Sequence, residues 1–559
     1  MKARSNSPRV VFTLLALALP AVAATRSTTS DGKVPAGDSN VSKQVDRGLA
    51  DELGFSTSEV QSKLAPATGD QAFLRRVYLD LVGTLPTPTE IAMFTLDPSA
   101  DKRGQLVDRL LADPRYGENW ARYWRDVIFY RRASDRALYG YGAVDNFLSE
   151  AFNTNQSWDK IAKQFIVASG NVGERGETAM FMAQEVDTAN VAAEMSRVFM
   201  GVQIACAQCH DHPLDHWKRE EFHQFAAFFP RIGLRPIRVN GQQRGFEIDS
   251  IDSGGIAFRP ATMRRATLEH YMPDLKNPSA EGKMIAPKFF ATGDTLPIGT
   301  KDEERRAKLA DWLASPDNPW FAKAMVNRLW SELVGEGFQE PVDDLSVDRP
   351  CSAPKTFDLL AAQFTAHGYD VKWLFRTIMA TDAYARESRP RRNPNETPFL
   401  ANCSYRLRSD VVYDCLAQAL AMSPGSIRTF GGAPGAQVFR YLNSPRSQFG
   451  QVFGYDPSVR RETVAGSIPQ ALALMNSRQF APAISADSPQ SVAAEALHNA
   501  GDDNEQAVVE LFLRVLAREP SNEELTICVV HIAAADSRAA GIEDVLWTLL
   551  NRTEFLQRN

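Results

Sequence analysis

Apolar residues recur at helical spacing along most of this chain. From Asp70 onward Phe73, Val77, Tyr78 and Leu81 fall three and four positions apart, the signature of one buried helical face. Thr87-Pro88-Thr89-Glu90 then offers an N-cap, a first-turn proline and the glutamate of a capping box, so a second helix is predicted there. A similar phrase closes the chain: Leu511 to Leu516 leads into Pro520-Ser521-Asn522-Glu523-Glu524, again a helix, a turn and a capped helix. Helical periodicity also covers 187–204, 218–229, 303–335, 355–384, 406–422, 465–476 and 503–556.

Residues 232–300 break the pattern. Ile237-Arg238-Val239 and Phe246-Glu247-Ile248 stand among Gly, Pro and Asn, which predicts a small strand-containing connector. The expected fold is therefore mainly α, with two helical domains (45–231 and 301–559) joined by that connector. Two segments echo one another across it. Leu110-Leu111-Ala112-Asp113-Pro114 precedes a helix with Trp120, Tyr123 and Trp124, and Leu313-Ala314-Ser315-Pro316-Asp317 precedes one with Trp320, Phe321 and Trp330. Two copies are too few to make a solenoid.

The first residues change the picture by setting a compartment. Lys2, Arg4 and Arg9 precede an apolar run from Val10 to Leu19 and a small-residue site at Ala21-Val22-Ala23, which reads as a signal peptide over 1–23 cleaved near Ala23. Residues 24–44, rich in Ser, Thr, Gly and Asp, read as a disordered linker. No later segment reaches the ~18 apolar residues of a membrane span. The expectation is an exported protein, periplasmic or extracellular. A formal net charge of −6 argues against a nucleic-acid partner.

One string points at a particular chemistry. Cys206-Ala207-Gln208-Cys209-His210 has two thiols three apart and an imidazole next to the second, the arrangement that covalent c-type haem attachment requires. Cys206 and Cys209 would hold the haem vinyl carbons, and His210 would be the proximal iron ligand. A helix carrying Val191, Met195, Val198, Phe199 and Val202, capped by Thr188, is expected to deliver Cys206 into a buried setting. For the iron's sixth position Met180, Met182, Met263, Met272, Met284, His223 and His270 are all options, and spacing singles out none.

The string continues as Asp211-His212-Pro213-Leu214-Asp215-His216-Trp217, so four of the eight histidines lie between 210 and 223. That crowding supports a second reading, a non-haem metal protein or hydrolase with zinc or another divalent metal held by His212, Asp215, His216 and His223, and with Asp211 as a further oxygen donor. A plain Cys206–Cys209 disulfide in a non-catalytic scaffold is the third. Cys351, Cys403, Cys415 and Cys528 remain, with three pairings between which sequence does not choose.

Elsewhere the chemistry is sparse. Trp120, Tyr123, Trp124, Phe129 and Tyr130 either wall a pocket or fill a core, and Glu340, Asp343 and Asp344 are either an acid/base set or loop and capping acids. There is no phosphate loop, no Gly-x-Ser-x-Gly elbow and no His-Glu-x-x-His helix.

Val77-Tyr78-Leu79-Asp80-Leu81-Val82-Gly83, the stretch from Arg109 to Trp124, and Gly201-Val202-Gln203 leading into the Cys-Ala-Gln-Cys-His-Asp-His-Pro-Leu-Asp-His-Trp run resemble the DUF1549 domain. Val326-Asn327-Arg328-Leu329-Trp330, Gly335 to Phe338, Glu340 to Asp344 and Gln470 to Asn476 are similar to the DUF1553 domain that usually follows it. The resemblance implies an exported bacterial protein of a kind often joined to an N-terminal cytochrome c-like domain. This chain departs from that pattern, since no cysteine lies between Ala24 and Asp70. The family's own motif continues past the haem residues through His212, Pro213, Asp215 and Trp217, which a haem alone does not require. The expected function is single-haem electron transfer or redox catalysis with a periplasmic redox partner protein.

Overall fold

The computed structural model describes residues 39–253, 258–259, 264–265, 268–277, 279–393, 395–422, 434–475 and 480–559. The expected signal peptide, most of the expected linker, Met263 and Asn476 lie outside them. The chain is mainly helical, with most of its few short strands gathered around the predicted connector and one further pair joining Tyr405–Arg406 to Gln557–Arg558. Its first described helix, Ser39–Leu53, begins six residues ahead of Val45, because Val41, Val45 and Leu49 already form a buried face.

Both predicted capping boxes are present. Thr87 accepts from the Glu90 amide while Glu90 accepts from the Thr87 amide at 2.8 Å, starting the helix Pro88–Leu96. Ser521 and Glu524 do the same for Asn522–Ala534. The helix before the haem-type motif, Thr188–Met200, is capped by Asp187 rather than Thr188, since the Asp187 carboxylate reaches the amides of Ala189 and Asn190.

The connector builds around an antiparallel hairpin. Strand Ile232–Val239 pairs with Gln242–Ser250 across Asn240-Gly241, both with positive φ, which is the tight-turn chemistry such hairpins favour. A second, smaller pair joins strand His270–Met272 to Lys283–Ile285, and its first strand packs against the helix Arg219–Ala226.

The two helical halves do not form separate domains. Residues 36–559 are one compact unit. Helix Thr188–Met200 lies on Phe321–Val334 from the other half. At that seam Arg197 meets Asp343 at 2.8 Å, both buried. Far along the chain, Arg558 grips Asp80 with two 2.7 Å hydrogen bonds at a fully buried position. Buried charges of this kind are stable only when paired, so each half would strand a charge without the other.

The aromatic set is core. Trp120, Tyr123, Trp124 and Phe129 are at most 3% exposed, Trp124 packing on Trp158 at 4.4 Å between rings, whereas Tyr130 is 49% exposed. All six cysteines are free, so none of the three pairings among Cys351, Cys403, Cys415 and Cys528 forms. Among the described residues no helix is long and apolar enough to cross a membrane.

Candidate functional site

The helix that precedes the motif ends earlier than its apolar period suggests. Gly201 takes a left-handed φ of +64° and caps the helix just after Met200, its amide still donating to the Arg197 carbonyl. A Cβ at Gly201 would sit 3.1 Å from Leu345, so the turn is crowded as well as left-handed. Val202, Ile204 and Ala207 stay buried and anchor the chain on either side of the first thiol. The motif begins on a short 3₁₀ turn, Ala205–Gln208, which Cys209 caps and His210 follows. Cys206 and Cys209 are exposed, not buried as expected, because the chain has left the helix before reaching them.

His210 is also exposed, and its Nδ1 donates to the Asp211 carbonyl at 2.7 Å. That bond fixes the tautomer and leaves Nε2 as the lone-pair nitrogen. Asp211 is occupied otherwise: it accepts from the Arg219 amide at 3.0 Å and from Lys218 at 3.2 Å, which lowers its pKa and ties it to the start of the helix Arg219–Ala226.

His223 projects from that helix and is 2% exposed. Its Nε2 lies 3.0 Å from the Gln208 carbonyl inside the motif, and its Nδ1 lies 2.9 Å from Nε2 of His270, the two rings stacking at 26°. A carbonyl only accepts, so Nε2 carries the proton, and Nδ1 accepts from His270. Burial pushes the His223 pKa down to about 4, which keeps the ring neutral at neutral pH. Both of its nitrogens are spent, so His223 does not join the predicted metal set.

Trp217 is the pivot of the remaining loop. It is 5% exposed, packed on Phe290 at 5.0 Å and Trp320 at 6.1 Å, and the His216 ring lies tilted against it at 4.1 Å. His216 Nδ1 is 2.7 Å from Asp215 and 3.4 Å from Asp348, so ligand atoms of these three lie within 4.8 Å of one another. His212 stands apart from that trio, its Nδ1 accepting from the Leu214 amide at 3.3 Å. Of the four residues proposed for a divalent metal, Asp215 and His216 therefore come together, and the third member is Asp348. No local signal marks Asp348, which arrives from the other half of the chain.

The carboxylates after Phe338 are neither free loop acids nor an acid/base pair. Asp343 is fully buried between Arg197 at 2.8 Å and Arg328 at 3.3 Å, and these cations overcome the burial cost to hold its pKa at about 2. Gln203 donates to it at 3.2 Å, tying the segment before Cys206 to the second half. Glu340 accepts from the Gly337 amide at 2.6 Å. Asp344 pairs with Arg349, and burial pushes its pKa up.

Beside the motif runs a groove of about 610 Å³ lined by Arg219, Met272, Pro273, Leu275, Ala280 and Lys283. Arg219 links the two, donating from Nε to the Gln208 carbonyl and from Nη2 to the Pro273 carbonyl. Of the sixth-ligand options Met272 lines this groove, Met284 is 39% exposed on the paired strand, and Met180 and Met182 are buried in the core.

No curated protein and no solved structure matches the chain. Residues 44–233 match the family described as protein of unknown function (DUF1549), and residues 305–464 match protein of unknown function (DUF1553). With both models matched in that order over most of its length, the chain belongs to the paired DUF1549–DUF1553 family.

Proposed function

We propose that this is an exported protein that carries one c-type haem on Cys206, Cys209 and His210 and exchanges single electrons with a periplasmic redox partner. The observation that carries the reading is the state of the three residues together. Both thiols are exposed and unpaired, and His210 has its Nδ1 tied to a backbone carbonyl, leaving Nε2 for iron. Each thiol adds its S–H across a vinyl double bond, so attachment needs no leaving group. A haem bound there supplies a reversible one-electron couple whose potential depends on its axial ligands and exposure. The chain's own residues hold and shape: His223 and Arg219 fix the Gln208 carbonyl between the two thiols, and the groove past Arg219 sets Met272, Pro273, Leu275 and Ala280 among the charged Asp274, Lys276 and Lys283.

The test is expression in a host with the haem-attachment machinery, and then an alkaline pyridine spectrum of the denatured protein. The expected result is one covalent haem per chain, lost in Cys206→Ser/Cys209→Ser. A chain that leaves that host without covalent haem rules the reading out.

A second reading rests on a different observation, the approach of Asp215, His216 and Asp348. It is a divalent metal such as zinc bound outside the haem motif. Stoichiometric metal that survives Cys206→Ser/Cys209→Ser and is lost in His216→Ala supports it, whether or not haem is present.

A further inference from the structure

A further cavity lies elsewhere in the molecule. Where helix Pro114–Phe129 meets the helices Ser409–Ala419, Pro434–Leu442 and Pro445–Phe453, the chain encloses a cavity of about 290 Å³. Its wall carries five arginines, Arg125, Arg132, Arg408, Arg446 and Arg461, against two carboxylates, Asp126 and Asp410. The other acids that pair with these arginines do not line the space: Arg125 reaches Asp145 at 2.7 Å, Arg446 reaches Asp414 and Arg461 reaches Glu332. In those three pairs the cation lines the cavity and the anion does not.

That pairing is incomplete. Nη1 of Arg446 and Nη1 of Arg461 are buried with no hydrogen-bond partner among the described residues. The Arg461 side chain is 2% exposed, and burial together with the charge of Arg328 pulls its pKa down to about 10. A buried guanidinium N–H without an acceptor is costly, and both side chains line the cavity.

The rest of the wall is aromatic. Tyr141 and Tyr441 lie 4.8 Å apart between rings, and the Arg125 guanidinium sits 4.1 Å over Tyr141. Tyr141 spends its hydroxyl on Asp126 at 2.9 Å and Tyr455 spends its own on the Arg406 carbonyl at 3.3 Å. These side chains offer an entering molecule mainly ring surface.

We infer that this cavity binds a small organic oxyanion, an acidic head group held by Arg446 and Arg461 on a compact body that packs against Tyr141, Tyr441 and Tyr455. The inference is independent of the haem reading, because none of these residues belongs to the motif or its loop.

Calorimetric titration of the full-length protein at low ionic strength tests it, with benzoate, phenyl phosphate and phenyl sulfate as probes and benzyl alcohol as the uncharged control. Saturable binding of at least one anion is expected, with benzyl alcohol binding at least about tenfold more weakly. Arg446→Gln should weaken the anion by about tenfold, reading the loss of one charged contact. Arg132→Gln, at the rim and 31% exposed, should weaken it by a smaller factor with an unchanged melting temperature, and it decides the matter if Arg446→Gln does not fold. No saturable anion binding, equal binding of benzyl alcohol, or wild-type affinity in the folded variants overturns the inference.

Discussion

At the scale of single residues, His223 shows how a side chain singled out by composition acquires a different role from position. Histidine crowding makes it a metal-ligand option, yet its Nε2 braces the Gln208 carbonyl and its Nδ1 takes a proton from His270. Neither partner is readable from spacing, since the Gln208 contact depends on the path of the 3₁₀ turn and His270 lies 47 residues away. The same holds for Asp348. Cys206, Cys209 and His210, by contrast, are nearly contiguous, so their juxtaposition is legible in the sequence. His223 also gives the fold a pH dependence. Its folded pKa of about 4 lies below the ordinary 6.5, so the neutral ring stabilises the fold fully above pH 6.5. As pH falls from 6.5 to 4 the unfolded chain takes up a proton that the folded one refuses, and stability drops by on the order of 3 kcal/mol at most. Urea unfolding between pH 7 and pH 4 should show this slope in the wild type and a shallower one in His223→Gln. Parallel profiles would mean that another group sets the slope.

At the scale of elements, local signals are legible and long-range ones are not. The capping boxes at Thr87 and Ser521 form as expected because each needs only four consecutive residues. The helix Pro445–Phe453, which walls the arginine cavity, is likewise started locally, by Ser444 as N-cap and Pro445 in the first turn, a signal that apolar periodicity alone does not register. Before the motif, Val202 continues the apolar period of the helix, while Gly201 ends it by conformation. That ending is the reason Cys206 and Cys209 are exposed. Gly201→Ala should therefore cost about 1–2 kcal/mol, as a side chain is forced into left-handed backbone and toward Leu345. Chemical denaturation measures the loss, and thiol labelling of the haem-free chain adds a second readout: slower labelling of Cys206 is expected if the helix lengthens into the turn. An unchanged midpoint would mean the position is not constrained.

At the scale of the whole molecule, two matched family regions share one folded body. Hydrophobic periodicity marks 232–300 as a change of secondary structure, but periodicity is blind to which faces meet. The joins are buried charges contributed by residues far apart in the chain, 146 positions for Arg197 and Asp343 and 478 for Arg558 and Asp80. Arg558 is the sharpest instance: fully buried, it donates twice to Asp80 at 2.7 Å, and Tyr384 donates to the same carboxylate at 2.8 Å. Strand Gln557–Arg558 also pairs with Tyr405–Arg406, so the last strand closes onto both halves. Removing the guanidinium leaves the buried Asp80 side chain with only the Tyr384 hydroxyl among these partners. Arg558→Ala should lose about 3–5 kcal/mol. If the halves were independent, the loss would be confined to one of two transitions. Because they share the buried pair, a single transition at lower denaturant is expected, the same by tryptophan fluorescence and by far-ultraviolet circular dichroism. Two separated transitions, one of them at the wild-type midpoint, would show that the halves fold alone and that the Asp80–Arg558 contact joins bodies already stable without it.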